Sequence, residues 1–151
     1  MAAKPHLAPE KRYGFAQAKM VTGAALLSSA ALSVLLLFQI GQWGGPNLLR
    51  RVPPELVVLR LMLSLPFPAV ATVLVLRLPR SRRALAIWMI ITAVAITVQI
   101  PFLFPEHVGG AVFILLALAA NLAGLILANG QPFRTLCTDL ERERDERARQ
   151  R

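Results

Sequence analysis

The sequence predicts an all-α integral membrane protein: four transmembrane helices in two antiparallel hairpins, with both termini cytoplasmic. Three observations predict it. Four apolar runs, at about residues 20–42, 56–76, 84–104 and 109–128, reach the roughly 20 residues needed to cross a hydrocarbon core of about 30 Å. Hydrophobic residues make up 56% of the 151 and mean hydropathy is +0.56, well above what a soluble domain of this size needs. The third observation is the placement of the 17 Lys and Arg. Lys4, Lys11, Arg12 and Lys19 precede the first run, Arg77, Arg80, Arg82 and Arg83 separate the second from the third, and Arg134, Arg142, Arg144, Arg147, Arg149 and Arg151 follow the fourth. Only Arg50, Arg51 and Arg60 fall elsewhere, so the positive-inside bias puts residues 1–19, the central basic loop and residues 129–151 on the cytoplasmic side of a 20–128 membrane domain.

The net charge of +9 has the same origin. In a soluble protein it would suggest phosphate contacts along nucleic acid; here it marks topology, and the partner it implies is anionic lipid headgroup at the cytoplasmic face rather than nucleic acid. The one cysteine, Cys137, excludes an intramolecular disulfide and a thiolate metal cage.

Residues 1–19 carry Pro5, Pro9 and four basic groups and read as a basic arm. The run from Met20 exceeds the apolar core of a secretory signal, roughly 7–15 residues, and reads as a retained first helix. Ala25, Ser29 and Ser33 recur on one of its faces, and small residues at that spacing let a second helix approach closely. Gly44, Gly45 and Pro46 end it.

The second span holds Arg60 one turn inside its outer end and Pro66-Phe67-Pro68 at its centre. The prolines remove backbone donors and predict a kink near the midplane. For Arg60 two readings stand level: a functional charge, or a side chain that snorkels over the few ångströms to the interface. The third span places Ala86, Ala93 and Thr97 as a second small-residue seam, and Pro105-Glu106-His107-Val108 makes a tight connection to the fourth. On the fourth, Ala117, Asn121, Gly124 and Ala128 form the best packing stripe, with Asn121 expected to hydrogen-bond across helices. Beyond Asn129-Gly130-Gln131-Pro132, the residues Phe133, Leu136, Cys137 and Leu140 predict a short amphipathic helix along the inner membrane surface, followed by a solvated charged helix.

Chemistry is sparse. All eight carboxylates and both histidines lie outside the four spans, which removes the usual parts of a proton-coupled carrier or a bis-histidine haem site. No metal-ligand spacing, phosphate loop or nucleophile elbow occurs, so no catalytic residue, metal or cofactor is assigned and the reading leans away from an enzyme. One constellation remains: Gln39, Arg60 and Gln99 come from three spans to one level, with Glu55, Glu106 and His107 just outside, an expected ligand-binding cluster in the outer leaflet. The favoured function is a non-catalytic accessory, assembly or scaffold subunit of a larger membrane complex in the plasma or bacterial inner membrane, ahead of the mitochondrial inner membrane. It would pack on other membrane subunits or on copies of itself. The alternative is a small oligomeric transporter or pore for an anion or lipid, working through the pocket around Arg60.

Overall fold

A computed structural model describes residues 9–44, 46–47, 50, 52–78, 82–100 and 108–150. Among these residues the chain forms six helices and no strand: α1 Pro9–Trp43, α2 Pro54–Ser64, α3 Phe67–Arg77, α4 Arg82–Gln99, α5 Val108–Asn129 and α6 Gln131–Arg149. Three of them, α1, α4 and α5, are long and apolar enough to cross a membrane, and α2 with α3 makes a fourth span if the bent pair is counted as one. Pro101 to His107, which include the end expected for the third span, lie outside the described residues.

α1 is the axis of the fold. It does not begin at the apolar run but at Pro9, so the expected basic arm is helical from there onward. Its 35 residues reach about 52 Å at 1.5 Å per residue, well past a hydrocarbon core of about 30 Å. It ends where Gly44 turns left-handed (φ +72°), its N–H still bonded to the Ile40 carbonyl at 2.9 Å. Along its length α1 packs on α2, α3, α5 and α6. The contact with α5 is close because Gly124 has no side chain: a Cβ there would stand 2.7 Å from Met89 Cε and 3.3 Å from Ala24 Cβ. Ala25, Ala117, Asn121, Gly124 and Ala128 are all buried in this core, as is Ser29, while Ser33 is half-buried. α4 turns a different face inward than its small residues suggest. Leu85, Met89, Thr92, Ile96 and Gln99 are buried, whereas Thr97 is exposed and Ala86 and Ala93 are half-buried. Burying the long side chains removes more apolar area from contact with its surroundings than an alanine seam would, and Gly124 supplies the close approach instead.

The second span is broken. α2 and α3 meet at 42° around Leu65-Pro66. In an unbroken helix the carbonyls of Met62 and Ser64 would accept from residues 66 and 68, and both are prolines without an N–H. Each carbonyl is served otherwise. Leu65 N–H donates to Met62 O at 3.3 Å, Ser33 Oγ shares its proton between Ser29 O (2.9 Å) and Ser64 O (3.4 Å), and Ser29 Oγ donates to Leu65 O at 3.2 Å. The two serines thus satisfy the freed backbone at the break, a requirement where no water is available.

The tail differs from expectation in its packing. α6 is one continuous helix after the Gly130 joint, and Phe133, Leu136 and Cys137 are buried within the protein instead of facing a membrane surface. The reason is the helical extension of α1, which offers α6 an apolar partner. Gly14 permits the approach, since a Cβ there would lie 2.7 Å from Leu136 Cβ and 2.8 Å from Pro132 O. Gln17 Oε1 accepts the Phe133 N–H at 2.8 Å, Lys11 donates to Glu143, and Arg144 Nη1 donates to Arg77 O at 3.0 Å. Both ends of the described chain therefore lie together at one end of the bundle.

Two predictions follow from this docking. Burial pushes the Cys137 thiol above its ordinary value, against the opposing pull of Arg82, so alkylation at neutral pH is slow in the native protein. Gly14→Leu wedges α6 away, and alkylation of Cys137 rises at least tenfold toward the rate in denaturant. Separately, the hydrogen bond from Lys11 holds the Glu143 carboxyl below its ordinary 4.5. The contact is therefore fully present above that value and is lost as pH falls through the lower, folded one. The protection of amides 140–149, their exchange relative to the intrinsic rate at each pH, should fall on acidification below pH 4.5 in the native protein, whereas Glu143→Gln is less protected already at pH 7 and loses little more in acid.

Candidate functional site

At the end of the bundle opposite the two chain ends, three helices bring polar side chains inward. α2 starts on Pro53 and Pro54, whose fixed φ suits a first turn, and its two buried residues, Arg60 and Leu63, are three apart on one face. That face lies against α1, as the bonds from Ser29 and Ser33 to the α2 end show. Gln39 stands one turn before the end of α1, and Gln99 closes the buried stripe of α4. Arg60 is 1% exposed, Gln39 2% and Gln99 0%.

The guanidinium is clamped rather than extended to an interface. Its Nε donates to Gln99 Oε1 at 2.7 Å and its Nη1 to Gln39 Oε1 at 2.6 Å, while Gln99 Nε2 donates on to Ala95 O at 3.0 Å. The snorkelling reading of Arg60 is thus replaced by an inward one, since two amide carbonyls from separate helices supply the acceptors that headgroups or water would have supplied. Two groups of this cluster have no hydrogen-bond partner among the described residues, Arg60 Nη2 and Gln39 Nε2, and both are donors. No carboxylate among the described residues is paired with Arg60. Glu55 is exposed at the first turn of α2, and Glu106 and His107 lie outside the described residues.

The cluster is therefore a buried positive charge with surplus donors. Neither amide titrates and the guanidinium does not surrender its proton, so the arrangement offers no general base and no nucleophile. It can receive an acceptor, and an anionic one best. Among the described residues no group of three His, Cys, Asp or Glu stands ready to hold a metal ion.

Asn121 departs from its expected role. It is wholly buried, yet neither its Nδ2 nor its Oδ1 has a hydrogen-bond partner, so it is not the interhelical bond its position suggested. The serines at the break are the contribution that residue counting missed. The signal was present, as two prolines at the centre of one span need hydroxyls on its neighbour, and Ser29 and Ser33 are spaced one turn apart.

No family model, no curated protein and no solved structure matches this chain.

The backbone accounting gives a prediction. Ser29→Ala with Ser33→Ala removes both donors from the break and should lower stability by about 1 kcal/mol, with faster hydrogen exchange around residues 62–66. Ser64→Ala should be neutral, because the Ser64 hydroxyl turns back onto Leu61 O of its own helix.

Proposed function

We propose that the protein is a four-span membrane protein, with both termini and the Arg77–Arg83 end cytoplasmic, that binds an anionic group in the outer half of its bundle and passes it as a small carrier or pore. The observation that carries this reading is the buried Arg60 guanidinium with unused donors beside it and no acid among the described residues to neutralise it. Breaking or leaving unpaired a buried charge costs several kcal/mol, and well-packed apolar residues would serve a purely structural purpose at least as well. A charge kept in such a place is by default a functional one. The break adds support. Leu65 is five residues from Arg60, about 8 Å along the helix, so the guanidinium lies close to a broken span, a feature that marks binding sites in many carriers.

A second reading, the accessory, assembly or scaffold subunit, is favoured by α6. Its apolar residues are covered by the protein, and it presents a charged outer face carrying Arg134, Arg142 and Glu146 to a cytoplasmic partner. The small-residue stripes on α1 and α5 give that reading less help, because the chain's own helices cover them.

The test is reconstitution into liposomes with chloride or inorganic phosphate as the permeant anion, and a fluorescent phosphatidylglycerol to follow lipid movement. One of these fluxes should fall at least tenfold in Arg60→Met. The triple variant Arg60→Met, Gln39→Leu, Gln99→Leu should also lose flux while melting at or above the temperature of the native protein. Flux that ignores Arg60, or the absence of any flux together with recovery of the native chain in a stable complex with larger membrane proteins, would overturn the carrier reading and leave the accessory one.

A further inference from the structure

At the basic end of the bundle, α3 and α4 leave a groove of about 300 Å³ between them. Its floor is Val75 and Leu85, both buried, and its rim is Leu74, Leu78, Ala84 and Trp88, all exposed. Ala71 and Ala84 keep the walls apart, since small side chains on facing helices leave space that larger ones would fill. Such a channel open to hydrocarbon is filled by hydrocarbon. What distinguishes this one is the charge at its mouth.

Leu78 follows Arg77 directly, and Ala84 follows Arg82 and Arg83, so the groove opens among arginines of two helices. A third helix adds another, for Arg144 of α6 is held there by its bond to Arg77 O. Arg77 and Arg83 are exposed, and the Nη1 of half-buried Arg82 is buried without a hydrogen-bond partner among the described residues. Against these four cations stand Glu141, which with Arg82 acts on the Cys137 thiol, and Asp145, next to Arg144 on α6. The local balance stays positive, and guanidinium forks match phosphate oxygens.

We infer that this groove is a binding site for an anionic phospholipid, with one acyl chain between α3 and α4 and the phosphate among Arg77, Arg82, Arg83 and Arg144. An apolar slot ending in convergent basic groups is the complement of that molecule and of neither half alone. The site is separate from the Arg60 cluster and does not rest on its function.

Trp88 in the groove wall provides a local readout. The chain has two tryptophans, so Trp43→Phe leaves Trp88 as the reporter. In nanodiscs of phosphatidylcholine, a small fraction of phosphatidylglycerol with brominated acyl chains should quench Trp88 at least fivefold more strongly than the same fraction of brominated phosphatidylcholine. Arg82→Gln with Arg83→Gln should abolish the preference between the two lipids. Ala71→Phe, which fills the groove and leaves every charge in place, should reduce quenching by both. Equal quenching by the two lipids in the native chain overturns the inference, as does quenching by phosphatidylglycerol that Ala71→Phe leaves undiminished, which would mean a headgroup held without its chain. Cross-linking of Trp88→Cys into a dimer of this chain would place a second copy in the groove and overturn it as well.

Discussion

A span that places two prolines at its centre cannot satisfy its own backbone, and in hydrocarbon nothing else will do so unless the protein provides it. Much of the bundle is arranged around that constraint. Ser29 and Ser33 must face the break, so α1 presents the same side to α2 that carries Gln39 farther along, and the pair runs antiparallel with Arg60 brought beside Gln39. The adjoining face of α1, around Val21 and Ala24, is then left for α5, where Gly124 makes the contact close. α4 fills the remaining angle between α5 and the broken pair, which brings Gln99 to the guanidinium from a third direction.

The two ends of this bundle use arginine in different ways. At one end a single guanidinium is enclosed, its acceptors chosen by the protein and its remaining donors facing inward. Geometry there is tight, with bonds of 2.7 and 2.6 Å. At the other end several arginines stand at the surface, where long side chains can rearrange around a phosphate and no one contact dominates. Buried charge gives strength per contact at a high desolvation cost, and exposed charge gives adaptability at little cost. The chain carries both forms within one helix pair and its neighbours.

Counting residues along apolar runs was enough to find the helices, the break and the common level of Gln39, Arg60 and Gln99, because rise per residue is fixed in an α-helix. Direction around the helix was harder. Arg60 lies at a depth from which a long side chain can reach either the interface or the interior, and only the acceptors on two other helices decide between them. The same ambiguity affected α6. An amphipathic stripe of Phe133, Leu136 and Cys137 fits a membrane surface or a helix equally, and the deciding feature, a helical Pro9–Lys19 with Gly14 opposite Leu136, is signalled weakly in a segment rich in charge. For α4, small residues suggested one face and long apolar ones another. Packing area favoured the latter.

The continuity of α1 has a mechanical meaning. From Lys11, bonded to Glu143 of the tail, to Gln39, bonded to Arg60, it is one uninterrupted helix of about 42 Å. A rod of that kind resists bending, so a tilt of roughly 5° at one tip arrives at the other as a displacement of nearly 4 Å. The clamp on Arg60 and the seat of α6 thus stand at the two ends of one rigid element.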